Sequence, residues 1–121
     1  MTAKLDSGGT KLIFACSGGS DVGCLADLGA REAAKRGAGR MYCLAGIGGR
    51  VEPMLETTRA AVKILAIDGC PQNCAEKVLV LAGFQDFQHL QLSDLTFVKG
   101  TSEPTPERVR RVADAAVEKL K

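Results

Sequence analysis

The sequence predicts an α/β fold: a small three-layer sandwich whose mainly parallel sheet of about four to five strands carries helices on both faces. Three observations point there. Short apolar runs such as Leu12-Ile13-Phe14-Ala15 lack polar alternation, as strands buried on both faces do. Stretches with apolar residues at helical spacing alternate with these runs, and short glycine-containing turns join them, which suits right-handed crossovers. A length of 121 residues fits one domain with its own core.

Taken in order, residues 1–10, with Ser7-Gly8-Gly9-Thr10, read as a flexible leader, and 11–121 as a single domain. Lys11–Cys16 is the first strand, followed by the Gly18-Gly19-Ser20 turn. Ser20 or Asp21 caps a helix to about Arg36, with Val22, Leu25 and Leu28 at helical spacing and Gly37 and Gly39 ending it. Arg40–Leu44 is the second strand, and Ala45–Gly49 a glycine turn. A helix from about Glu52 to Ala61 tolerates Pro53 in its first turn. Val62–Ile67 is the third strand and Pro71–Leu81 the third helix, with Gly83 at its exit. His89–Leu92 and Leu95–Val98 read as one or two short strands, and Thr105-Pro106 opens a last helix to Leu120. Its apolar face is Val109, Val112, Ala113, Ala116 and Leu120.

Composition excludes several classes. Sixteen basic and fourteen acidic residues leave a net charge of +2, no strong field for nucleic acid or an anionic membrane. The Arg108, Arg110 and Arg111 cluster is interleaved with acidic residues, and one Tyr with no Trp offers few stacking platforms, so no nucleic-acid partner is expected. No segment approaches the roughly 20 apolar residues that span a bilayer, and no membrane partner is expected. Without a charged-then-apolar leader, and with five cysteines, an odd number, the expected compartment is the reducing cytoplasm. There, cysteines point to metal binding or thiol chemistry rather than to structural disulfides.

Cys16, Cys43 and Cys70 each end one of the first three apolar runs. In parallel sheets ligands gather outside the carboxyl ends of the strands, so three strand ends each deliver a thiol to one rim. Cys74, one helical turn beyond Cys70 on the expected helix, adds a fourth on the same face. Four thiolates satisfy tetrahedral zinc, and copper(I) or iron suits the same soft donors. The absence of a clustered ferredoxin-type run favours zinc over an iron–sulfur centre.

The helix start near Pro71 would lower the pKa of nearby thiols, which serves metal ligation and equally a Cys70–Cys74 thiol–disulfide pair. Ser17, Gly18, Gly19 and Ser20 form a turn into a helix that could cradle a phosphate or nucleotide, although neither a Walker nor a Rossmann motif is present. Cys24 lies between Val22 and Leu25, where a small buried residue is the usual occupant, and so reads first as packing and only secondarily as a spare thiol. His89, the sole histidine, is a secondary candidate for a ligand or proton carrier. Asp68 reads as a helix cap or hydrogen-bond acceptor rather than an acid–base catalyst. No catalytic residue is assigned.

Three motifs in this order, Ala15-Cys16-Ser17-Gly18-Gly19-Ser20 with Gly23, Cys43-Leu44-Ala45-Gly46-Ile47-Gly48, and Asp68-Gly69-Cys70-Pro71-Gln72-Asn73-Cys74-Ala75, resemble those of DGC-domain proteins. The resemblance covers roughly residues 11–100. It implies a zinc-binding protein of unknown biochemical role whose chelating cysteines correspond to Cys16, Cys43, Cys70 and Cys74. Cys24 falls outside that set.

Overall fold

The computed structural model describes residues 9–121, so most of the expected leader lies outside the described residues. Among these, four strands form one parallel sheet in the order β2-β1-β3-β4: β1 (Lys11–Ala15), β2 (Arg40–Met41), β3 (Lys63–Asp68) and β4 (Gln88–Gln91). Five helices connect and cover them: α1 (Asp21–Lys35), α2 (Leu44–Gly48), α3 (Glu52–Arg59), α4 (Cys74–Leu81) and α5 (Pro106–Lys119). None is long and apolar enough to cross a membrane.

The strands bury both faces because alternate residues point to opposite sides of the sheet. Ile13, Leu65, Ile67 and Leu90 pack under α1 and α5, while Leu12, Phe14, Ile64 and Ala66 pack under α2, α3 and α4. Fully burying each of the larger side chains among these, Ala66 aside, stabilises the fold by about 1.5–3 kcal/mol. On the first face α1 and α5 approach closely at Gly29, where a Cβ would lie 2.3 Å from Val112 Cγ1. Ser20 caps α1 through a 3.0 Å bond accepted from Gly23 N, and Thr105 caps α5 by accepting from Arg108 N at 3.2 Å.

Five local expectations are revised. The second strand stops at Met41, and the expected glycine turn is the helix α2, which buries Ile47 completely against α4 and β1. The third helix begins at Cys74 rather than Pro71, because Asn73 adopts a left-handed backbone (φ 54°) that no continuous helix accommodates. Leu95–Val98 is not a strand: Leu92–Leu95 is a 3₁₀ turn and Thr96 is left-handed, so that Leu92 and Phe97 both return to the core. Leu28, placed with the apolar face of the first helix, is 37% exposed.

Candidate functional site

Strand order decides which sequence-predicted residues meet. With β1 between β2 and β3, Cys43, Cys16 and Cys70 follow three neighbouring strands in that spatial order. Parallel pairing continues one residue past β1, where Cys16 N donates to Ile67 O at 3.0 Å. Cys16 is half-buried, and its Sγ accepts a hydrogen bond from Gly69 N at 3.3 Å. Burial pushes the Cys16 thiol up from its ordinary pKa; the Gly69 N–H opposes this, while the charges of Asp68, Cys70 and Cys74 add to it. The expected lowering by a helix start therefore does not hold at Cys16.

Cys70, also half-buried, is followed by the Pro71-Gln72 turn, closed by Asn73 N donating to Cys70 O at 3.2 Å. Cys74 is the first residue of α4 and is exposed. The same-face helical relation between these two thiols is thus replaced by a turn, closed from Cys70 to Asn73, with only Cys74 in the helix. Cys43 sits in extended backbone as the N-cap residue of α2, its side chain exposed and making no capping bond.

Asp68 is 1% exposed and aims its carboxylate at the start of α4. Oδ1 accepts from Ala75 N at 2.7 Å and Oδ2 from Glu76 N at 3.0 Å, a cap supplied from seven and eight residues away. His89 Nε2 donates to the same Oδ2 at 2.8 Å, and Glu76 Oε2 lies 3.8 Å from His89 Nδ1. Gly69 has no room for a side chain, since a Cβ would stand 2.3 Å from Val22 O and 2.8 Å from Gly23 N. The first turn of α1 therefore rests on the backbone that carries Cys70, and the two cysteine-bearing turns are packed as one unit.

Among the described residues no three His, Cys, Asp or Glu side chains are gathered in a metal-holding arrangement. The thiols share a rim but not a point. The turn at Ser17-Gly18-Gly19-Ser20 lies beside this rim, folded so that Gly18 N would be 2.9 Å from a Cβ on Gly23. Two first-turn N–H groups of α1 are already engaged there, Val22 N by Asp21 Oδ1 at 2.8 Å and Gly23 N by Ser20 Oγ.

The family model for the DGC domain matches residues 12–116. The chain belongs to the DGC domain family. A curated relative from Pseudomonas aeruginosa, the anaerobic and virulence modulator AnvM, is 37% identical over 83 residues. That match spans 69% of this chain and 63% of the relative, less than two thirds of the relative's length. No solved structure matches the chain.

In this DGC domain the motif's three residues have separate physical duties. Asp68 caps α4, Gly69 lets α1 approach and donates to Cys16, and Cys70 opens the turn to Cys74. Cys24 departs from the packing expectation: it is exposed, because position 24 falls on the outer face of α1 between the buried pairs Val22-Gly23 and Leu25-Ala26. Sequence reasoning missed Gln91. Its Nε2 donates to Cys70 O at 3.0 Å and to Asn73 Oδ1 at 2.6 Å. The two-residue alternation of His89 and Gln91 along a predicted strand was the signal that could have found it.

Proposed function

We propose that this DGC domain is a thiolate metal-binding protein that takes zinc at the carboxyl ends of β1, β2 and β3, through Cys16, Cys70, Cys74 and Cys43. The observation that carries this reading is the placement of Cys43, Cys16 and Cys70 just past the ends of three neighbouring parallel strands, with half-buried Cys16 bonded through its Sγ to Gly69 N beside Cys70. Such a rim gathers negative charge as its thiols ionise, and a soft dication compensates that charge. The donor chemistry fits zinc, with copper(I) and iron as the other metals that thiolates accept. Zinc bound to four thiolates supplies a cross-link, and zinc with an open position supplies a Lewis acid.

The chain's own residues do the rest. Gly69 N holds Cys16 Sγ, Asp68 fixes the helix start that bears Cys74, and the turn from Cys70 sets the distance between the last two thiols. With this reading goes a reducing, cytoplasmic setting, since thiols bind metal only while they stay reduced. The relative's name, a modulator, favours a regulatory use in which metal occupancy or thiol state is the signal.

A second reading is a Cys70–Cys74 thiol–disulfide pair, favoured by the short turn, closed from Cys70 O to Asn73 N, that joins the two cysteines. The anion-binding reading of Ser17–Ser20 draws less support, since Val22 N and Gly23 N are already bonded within the chain.

Elemental analysis of anaerobically purified protein, with thiols counted before and after chelation, tests the proposal. One zinc per chain, with about four thiols unmasked on its removal, is the expected result. Cys70→Ser should then lower zinc content and thermal stability together. No metal, with two thiols appearing only after reduction, would replace the metal reading with the redox pair.

A further inference from the structure

The loop between Cys70 and Cys74 turns on a residue with a left-handed backbone. Asn73 is left-handed, a conformation that disfavours L-residues by roughly 1–2 kcal/mol, although Asn tolerates it better than most. A five-residue segment with such a kink would sample several arrangements unless something outside it held its ends.

Edge strand β4 does so. Parallel pairing sets His89 opposite Ala66 and Gln91 opposite Asp68, so both side chains emerge on the face to which α4 is packed. Gln91 Nε2 bridges Cys70 O and Asn73 Oδ1, the first residue of the loop and the residue just before Cys74. Gln91 is itself oriented by Ser93 N, which donates to its Oε1 at 3.2 Å. His89 holds the buried carboxylate of Asp68, which in turn holds Ala75 N and Glu76 N beyond the loop's far end. The loop is thus held from β4 directly through Gln91, and beyond its far end through Asp68 of β3, whose carboxylate His89 of β4 bonds.

We infer that Gln91 and His89 are positioning residues that fix the separation and orientation of the Cys70 and Cys74 thiols, so that β4 pre-organises the thiol pair for its metal. The assignment to a metal rests on the zinc reading, whereas the control of thiol geometry does not. Partners of this kind, which orient ligands without touching the metal, alter affinity by roughly 10–100-fold when removed.

The test uses the full chain and two readouts. Zinc affinity is measured by competition with a chromophoric chelator. Alkylation rates of Cys70 and Cys74 in the metal-free protein are read by peptide mass spectrometry with iodoacetamide. Gln91→Met keeps the length of the side chain and removes both donated bonds. His89→Leu removes the bond to Asp68, and His89→Gln restores a donor near the same place. Circular dichroism melts select variants that remain folded.

Zinc binding weakened about 10–100-fold in Gln91→Met and His89→Leu, with recovery in His89→Gln and altered alkylation of Cys70 and Cys74 but not of Cys24, is the expected result. Variants that match wild type in both readouts would overturn the inference. If wild type takes up no zinc, the metal reading fails by itself, and alkylation decides the positioning role: changed rates sustain it and unchanged rates end it.

Discussion

Two turns leave the carboxyl ends of the adjacent central strands β1 and β3, and both run from a cysteine through glycine or proline into a helix. They are alike in sequence and unlike in structure. The turn after β1 is open: side chains on Gly18 and Gly19 would meet nothing within 4 Å, and the segment is held mainly at Ser20 and Asp21. The turn after β3 is fixed at its base, by Val22 and Gly23 under Gly69, by α4 against Asp68, and by His89 and Gln91 from β4, while Pro71, Gln72 and Cys74 stay exposed. A glycine is indispensable where a neighbour occupies the space its side chain would need, and replaceable where none does.

Substitutions at the two turns should separate them. The largest effect is expected at Gly69→Ala, which drives a methyl group into Val22 O and parts α1 from β3. Overpacking of this kind costs about 1–3 kcal/mol, measurable as a lower midpoint in urea. Asp68→Asn should follow: it keeps the shape but offers one acceptor oxygen where Ala75 N, Glu76 N and His89 need two. A loss of about 1–3 kcal/mol is expected, with faster amide exchange at Ala75 and Glu76. A variant as stable as wild type would show that the buried carboxylate is not the element closing the second turn.

Asp21 gives a smaller, pH-dependent contrast at the first turn. Its carboxylate accepts from Gly100 N at 2.9 Å and Ser102 N at 2.8 Å, bonds that hold its pKa below the usual carboxylate range. A folded-state pKa below the unfolded value of about 3.9 places the stabilisation fully above that value, and it is lost as pH falls through the folded pKa. Asp21→Asn should therefore flatten the acid limb of thermal stability below about pH 4 and leave neutral stability little changed beyond the lost bonds. A parallel acid limb in both proteins would exclude this tie between α1 and the loop before α5. The smallest effect belongs to Gly18→Ala, expected within about 0.5 kcal/mol of wild type by the same urea measurement. A large loss there would erase the distinction between the turns.

Much of this was legible in the chain. Apolar runs ending in Cys16 and Cys70, glycines and prolines between elements, and Ser20 and Thr105 before helical patterns are local signals, and each stands at the boundary it marks. The less legible parts are those where a local pattern was outweighed by something distant. Ala45–Gly49 has the composition of a loop, yet it coils into α2 because Ile47 finds a buried place against α4 and β1. Pro71 is a good first helical residue, yet Asn73, its side chain bonded to the distant Gln91, is left-handed, and α4 starts only at Cys74. Cys24 sits in an apolar run, but the position of α1 over the sheet turns it outward.

By itself the sequence determined the alternation of strands and helices, the parallel sheet, and the delivery of thiols to strand ends, because hydrophobic period and turn chemistry act within a few residues. The tertiary structure alone decided that β1 lies between the strands bearing Cys43 and Cys70, that Asp68 caps a helix seven residues away, and that β4 brings His89 and Gln91 to the cysteine loop. Strand order, register and burial depend on contacts between segments far apart in the chain, and those contacts form only when the whole sheet is assembled.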